Sequence, residues 1–489
     1  HKFGDFEIKT SAATFKDQDV NEIKVFSNKL LKNEIYSTDI VNKLNRQVTS
    51  YLESKKYSNF EINIQELKKS DDLINIALQL SEGQKVLIDK INIQGNTITE
   101  EKVIRDSLVL AEGDYLNSTK VKKSIDNIKS KQLFSKVNSK IVDSEKKNYK
   151  DLNLEVKEQA TGSISAGVGY GTNGGLFEAS INERNFLGRG INLNFTGSLG
   201  TEELKGEFTY VDPNFRNTEK ELATSVYSIL DDYKNSGYQN KRAGTKLSTR
   251  YEIYEDIFFR PNVGAQFDKL EITGSASNLL KSRSGDFTTT SFGYNFLYDK
   301  RDSKFNPTSG TLIYFDQNIS TFLSDIPSLS TGVGTTLYKE LFNENFIGSA
   351  KARLANVVAF DNKDVKLSDR LFASTSDLRG FEPRGVGPVD RNDHVGGNNL
   401  ATLSLKSTFP NPIPESLRAN SFLFLDVGNI WGVDYSSLIS NSSKIRSSTG
   451  IALDIVSPLG PLSFSYSIPI SKASTDKEQN FTFNIGSSF

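Results

Sequence analysis

The sequence predicts a transmembrane antiparallel β-barrel of about 16 strands, preceded by two small α+β modules of β-α-α-β-β order. Three observations carry that prediction. Residues 1–158 hold no proline and just Gly4, Gly83, Gly95 and Gly113 of the 35 glycines, whereas the remainder holds all 12 prolines and the one tryptophan. Beyond the boundary, apolar residues alternate with small or polar ones through segment after segment, the period-two signature of strands. The longest apolar runs, such as Phe422–Leu425 and Val357–Phe360, fall far short of the ~18 to 20 residues a spanning helix needs, so strands are the available way to cross a membrane.

Taken in order, residues 1–81 read as a first module. FEIKT is a strand, a helix runs from about Asp19 to Leu31, a longer one from Thr38 to about Ser54, and FEINIQEL and LINIALQL are strands. Residues 82–158 repeat that order more clearly. VLIDKINIQG alternates and ends in a Gly-Asn turn, after which Thr99 is expected to cap a helix carrying Val103, Ile104 and Leu108 until Gly113 breaks it. A second helix starts at about Ser118 with Val121, Ile125 and Ile128 on one face. LFSKVNSKIV and LNLEVKE then form two strands around a lysine-rich turn.

Residues 159–489 are expected to form the barrel. Ile164, Ala166, Val168 and Tyr170 alternate with Ser163, Ser165, Gly167 and Gly169; Leu462, Phe464, Tyr466 and Ile468 alternate with serines; Phe481, Phe483 and Ile485 alternate with Thr482 and Asn484. In a soluble sandwich the apolar face would pack on a second sheet, whereas in a membrane barrel it meets lipid and the polar face lines the lumen. At roughly 20 residues per strand and connection, this stretch makes about 16 strands, too many for one ordinary sandwich. Ending on Phe489 within an alternating strand also favours closure, since lipid tolerates no open backbone edge.

Composition narrows function further. With 59 Lys+Arg against 60 Asp+Glu and a net charge of -1, no global basic surface exists for nucleic acid. No cysteine is present, and His1 and His394 are the two histidines, so no catalytic, cofactor or metal site is expected. The run Gly167–Gly171 is followed by a strand, not by the helix a phosphate loop requires, and reads as barrel glycine. His394, within Asp390–His394, has no accompanying nucleophile motif and is expected to be a solvated loop residue. Lys120–Lys123 and Glu145–Lys147 are expected to be solvated faces. The opening HKFGDFEIKT has neither an initiator Met nor an apolar signal core, so any targeting segment is expected to be missing from this chain.

The stretch from Leu371 to Pro388, LFASTSDLRGFEPRGVGP, followed by Gly396-Gly397-Asn398, is too long and glycine-rich for a hairpin. Its LRGFEP resembles the Arg-Gly-Phe loop of the BamA family, the POTRA-plus-barrel insertases of Gram-negative outer membranes. Further segments resemble the same family in the same order: Asn185–Gly188, Asp212–Phe215, Asp299–Asp302 with Pro307–Gly310, Phe424–Gly428 and Ser457–Pro461. The spacing of GFEP, GVGP and GGN is most similar to alphaproteobacterial members.

The resemblance implies a loop folded back into the lumen, where Arg379 and Gly380 lie against the inner wall and Phe381 packs beneath. Asp426, matching the family's acidic residue in Phe-x-Asp-x-Gly, is the expected partner of Arg379, because a desolvated guanidinium needs a charged or carbonyl acceptor. A second acidic position of the family falls on Lys406, which points to a simpler pair. The doubled glycine before the motif is replaced around Ala373-Ser374.

What the resemblance further implies is an outer-membrane location with POTRA modules in the periplasm, and a non-enzymatic insertase for unfolded β-barrel clients. It would contact outer-membrane lipids and accessory assembly lipoproteins. The working place is expected at the seam between the first strand (about 161–171) and the last (480–489), with Gly167, Gly169, Ile485 and Phe489 as its residues; parting it would offer a client a free edge. The alternative of the same architecture is a two-partner-secretion polypeptide transporter. A porin or a soluble carbohydrate-binding β protein fits less well.

Overall fold

The computed structural model describes the chain except residues 1, 11–14, 32–35, 56, 58, 59, 71, 72, 83–85, 173, 219, 305, 306, 344, 411–418, 438, 440–443, 458, 459 and 487–489. Phe489, expected at the seam, lies outside the described residues. Contacts divide the chain into two units, one of residues 1–161 with 187–190 and the other of 162–186 with 191–489.

In the first unit the β-α-α-β-β order is built twice. The first copy comprises β1 (Lys2–Thr10), α1 (Asp17–Leu31), α2 (Thr38–Ser54), β2 (Phe60–Ser70) and β3 (Leu73–Glu82). The second comprises β4 (Leu87–Gln94), α3 (Glu101–Arg105), α4 (Ser118–Ser130), β5 (Phe134–Asp143) and β6 (Tyr149–Glu158). In each sheet the last strand lies in the middle, parallel to the first and antiparallel to the second. The helices bury their apolar stripe on one face: Ile23, Leu44, Val48 and Leu52 against Ile76, Leu78 and Leu80, and Ile104, Val121 and Ile128 against Ile88, Leu152 and Leu154. Each such side chain removed from water contributes about 1.5 to 3 kcal/mol.

One helix departs from expectation. α3 ends at Arg105, short of Leu108, and its N-cap is Glu100, without a side-chain bond, in place of Thr99. The reason is the competing use of that turn: the Thr99 N–H donates to Glu158 Oε1 at 2.6 Å, Ile98 N–H to Oε2 at 3.0 Å and Thr97 Oγ1–H to Oε2 at 2.7 Å. Burial raises the Glu158 carboxyl's pKa, but these donors outweigh it and hold it down to about 2. Asn117 does cap α4, accepting from the Thr119 and Lys120 amides at 2.9 and 3.1 Å.

The second unit is a closed barrel of β7 (Gly162–Gly171), β8 (Gly174–Phe186), β9 (Ile191–Gly200), β10 (Glu203–Asp212), β11 (Glu221–Tyr233), β12 (Tyr238–Tyr254), β13 (Ile257–Ile272), β14 (Gly285–Asp299), β15 (Gly310–Ser320), β16 (Ser328–Glu340), β17 (Ile347–Ala359), β18 (Asn399–Phe409), β19 (Asn420–Trp431), β20 (Arg446–Ser457), β21 (Gly460–Ser471) and β22 (Phe481–Ile485). Neighbouring strands are antiparallel, and β22 meets β7 to close the ring. Ile164, Val168 and Tyr170 are exposed on the outer face, as are Leu423 and Leu425. Ser165 and Ser180 share a 2.6 Å hydrogen bond on the opposite face. That division gives lipid an apolar surface and water a polar one.

Candidate functional site

The site is built where the long connection between β17 and β18 lies against the lumen face of β18 to β21. Alternation along β19 turns Phe424 and Asp426 inward and Leu423 and Leu425 outward. Register sets Ser404 of β18 opposite Asp426, and Asp426 opposite Ser448 of β20. Small serines beside the carboxylate leave room for a backbone to approach.

Arg379 fills that room. Its Nε donates to Asp426 Oδ2 at 2.7 Å, its Nη2 to Oδ1 at 2.6 Å, and its backbone N–H to Oδ2 at 3.1 Å. Nη2 also donates to Ser404 Oγ at 2.9 Å, the Ser448 hydroxyl donates to the Arg379 carbonyl, and the guanidinium lies 3.7 Å from the Phe424 ring centroid. Asp426 is fully buried and the Arg379 side chain nearly so. A bidentate pair so enclosed holds its geometry through fixed partners on both ions. Gly380 follows at φ +90°, where an added Cβ would lie 3.2 Å from Ser467 Cβ and 3.3 Å from Ser448 Cβ. Phe381 is buried among Ala373, Leu378, Val386, Leu400 and Ile430.

Among the described residues Lys406 forms no ion pair in this site; its Nζ lies 5.0 Å from the Phe422 ring centroid. Ser404 supplies the second acceptor instead. At the loop's entry Ser374 takes over the turn, its hydroxyl accepting the Asp377 amide at 3.2 Å. Asp377 then receives Lys351 Nζ at 2.6 Å and Arg353 Nη1 at 3.3 Å from β17. Arg384 anchors the far side: its guanidinium lies 3.4 Å from the Tyr233 centroid and 4.0 Å from that of Phe372, and Nη1 donates to Tyr238 Oη at 2.6 Å.

His394 is not solvated. It is 1% exposed, paired opposite Val389 in a short hairpin, because the loop folds into a packed plug with its own turns.

The seam is short. Among the described residues, β22 pairs with β7 at Tyr170 opposite Ile485 and Gly171 opposite Asn484, whereas β8 pairs along the whole of β7 from Gly162 to Gly171. Thr172 adds to it, its N–H donating to the Phe483 carbonyl at 3.0 Å and its hydroxyl accepting the Phe483 amide at 2.8 Å. A Cβ on Gly171 would lie 2.7 Å from that same carbonyl. The described seam pairs fall at Tyr170 and Gly171, just beyond Gly169, and Gly486 lies against the same stretch, where a Cβ on it would come within 2.8 Å of the Gly169 Cα. A cavity of about 640 Å³ is lined by Arg379 and Phe381 of the loop together with Thr482 and Asn484 of β22.

Among the described residues no His, Cys, Asp and Glu cluster could hold a metal ion. The residues missed by sequence reading are Ser404, Ser448, Phe424, Asp377 and Arg384. Inward position on an alternating strand was the available signal for the first three.

The Omp85 superfamily domain model matches residues 185–489. The chain belongs to the Omp85 superfamily. The POTRA model, described as a surface antigen variable number repeat, matches residues 86–159 of this Omp85 chain. It is similar to the outer membrane protein assembly factor BamA of Neorickettsia risticii, 26% identical over 426 residues, 85% of this chain and 57% of that protein. The chain thus spans a little over half of that relative's length. Its fold is like the crystal structure of BamA from Haemophilus ducreyi lacking POTRA domains 1–3, with TM-score 0.74, 22% identity and 100% of both chains covered. CdiB from Acinetobacter baumannii is less alike, with TM-score 0.52, 13% identity and 99% and 89% of the two chains covered. The Omp85 barrel is an outer-membrane barrel, with its POTRA module in the periplasm.

Proposed function

We propose that this Omp85 chain folds and inserts β-barrel clients into the outer membrane by letting a client strand enter at the parted seam of β22 and β7. The observation that carries the reading is the unequal pairing of β7. Its β8 edge is paired from Gly162 to Gly171, while the described pairs at its other edge are Tyr170–Ile485 and Gly171–Asn484, with Gly486 against the Val168 carbonyl. Parting the seam would leave β7 backbone groups unpaired in hydrocarbon at a cost of several kcal/mol each, so a client strand that pairs them is bound by relief of that cost. No covalent chemistry is involved; strand exchange does the work.

Residues 1–81 and 82–158 act as two POTRA modules before the barrel of 159–489. Their edge strands β1 and β2 in one sheet and β5 in the other offer edges for strand addition by clients or by accessory assembly lipoproteins, whereas residues 113–116 already bridge β4. Arg379, Gly380, Phe381 and Asp426 hold the lumen loop so that the cavity beside the seam stays open. The exposed apolar band, including Ile164 and Val168, meets outer-membrane lipid.

The test is insertion by the purified chain in phospholipid vesicles supplied with an unfolded outer-membrane barrel. Faster appearance of heat-modifiable, protease-resistant client than in empty vesicles is expected. Soluble client accumulating across the vesicle membrane, with no gain in inserted client, would replace this reading by polypeptide export.

A further inference from the structure

The connection between β21 and β22 turns inward and meets the lumen loop. Gly380 and Phe381 pair with Gln479 and Glu478 in a short antiparallel ladder. The Glu382 N–H donates to the Lys477 carbonyl at 3.0 Å, and the Lys477 N–H to the Gly385 carbonyl at 2.8 Å. The next residue, Asn480, accepts the Ser467 amide at 2.7 Å, and β22 starts immediately after it. The final strand thus leaves from a segment already zipped to the Arg379 loop.

That segment has a second anchor, outside the Arg-Gly-Phe motif. Arg446, the first residue of β20, donates from Nε and Nη2 to the two oxygens of Asp476, each at 3.0 Å. Its Nη1 donates to Asn429 Oδ1 at 3.1 Å and the Lys444 carbonyl at 2.8 Å. Asp476 also accepts the Ala473 amide at 2.6 Å. Both ions are almost wholly buried, at 1% and 0% side-chain exposure. Lys477 Nζ reaches across the lumen to Asn235 Oδ1 at 2.7 Å, beside the Arg384 anchor between β11 and β12.

We infer that Arg446 and Asp476 are positioning residues for the seam: they fix residues 476–479 to the β19–β20 end of the wall, and the loop ladder passes that position on to β22. Arg379–Asp426 and Arg446–Asp476 then hold the same segment from its two ends. Seam parting and release of residues 476–479 from the loop become one event. This rests on the seam reading of function, in that the event matters because clients enter there.

The test uses the full chain in lipid with Tyr170→Cys and Ile485→Cys, an opposed outward-facing pair across the seam. Val168→Cys with Phe177→Cys, opposed and outward between β7 and β8, is the control. No native cysteine competes. Asp476→Asn should slow seam oxidation on the order of tenfold, since it leaves a buried guanidinium without its charge partner. The control rate and heat-modifiable migration should stay unchanged, and Asp476→Glu should recover much of the seam rate. Unchanged seam oxidation in Asp476→Asn would overturn the inference, as would equal slowing at both pairs, which would make the ion pair a general brace. Client insertion by the seam-locked protein would sink the seam reading alone, while the oxidation rates report on the coupling independently.

Discussion

Strands β12 and β13 stay paired from Tyr238 opposite Ile272 to Tyr254 opposite Ile257, whereas β22 and β7 meet at Tyr170–Ile485 and Gly171–Asn484 among the described residues. Both junctions lie in one closed ring and use the same backbone chemistry. The difference is where their stability comes from. A long ladder sums many bonds of about 0.5 to 1.5 kcal/mol net, and parting it in lipid would strand every one of those groups. Among the described residues the seam has few such bonds, and its position depends on side chains and on a loop ladder that are not part of the barrel wall. A junction held from the side opens when its support moves; one held by its own ladder does not.

The largest break in this comparison should come from the support itself. Arg379→Ala or Asp426→Ala leaves one buried ion unpaired, at a cost of roughly 3 to 5 kcal/mol to loop docking. Client insertion should be lost while the barrel still migrates as folded in an unheated gel, because β12–β13 and its like do not depend on the loop. A double-mutant cycle should return a large coupling energy; none at all would separate Arg379 from Asp426 functionally.

A smaller effect is expected from Gly380→Ala. Its φ of +90° and the nearby Ser448 and Ser467 Cβ atoms both oppose a side chain, at about 1 to 3 kcal/mol for such a backbone position. Limited proteolysis within residues 380–390 should accelerate, and insertion should fall without vanishing. Equal proteolysis of mutant and parent would show that the loop does not need that close approach.

How much of this was legible beforehand follows from the kind of signal each residue emits. Strand alternation announces itself locally, so the barrel could be read directly, while Asp426 was placed through the resemblance of its Phe-x-Asp-x-Gly strand. Arg379 stood out through the resemblance of its loop. Ser404 and Ser448 carry no such mark, since serine suits either face of a strand and becomes informative when register places it beside a carboxylate. Arg446 and Asp476 lie at two different turns, and nothing in either turn names the other. His394 was misread because loop polarity suggests solvent, while the long loop packs inward. Gly167 and Gly169 drew attention as strand-weakening residues, but alternation does not set register, and the described seam pairs fall beside them at Tyr170 and Gly171.

The smallest effect should come from outside both regions and leave their difference intact. With its carboxyl held down to about 2 against an ordinary 4.5, Glu158 contributes stability that is present above pH 4.5 and is lost as pH falls toward 2. Solvent screening reduces that contribution to about 1 kcal/mol. Hydrogen exchange at the Ile98 and Thr99 amides should therefore lose protection on acidification through that window. Glu158→Gln should lower protection at neutral pH and flatten the pH dependence. Seam oxidation should respond to neither change, and a matching response there would tie the seam to the module.

The most direct measurement locks the seam itself. Tyr170→Cys/Ile485→Cys protein, oxidised to completion in vesicles, should remain folded and lose client insertion, and reductant should restore it if the disulfide forms without shifting the strands. The Val168→Cys/Phe177→Cys protein, oxidised equally, should insert clients at the parent rate. Undiminished insertion by the fully cross-linked seam would contradict the account, because clients would then be entering the membrane without β7 and β22 coming apart.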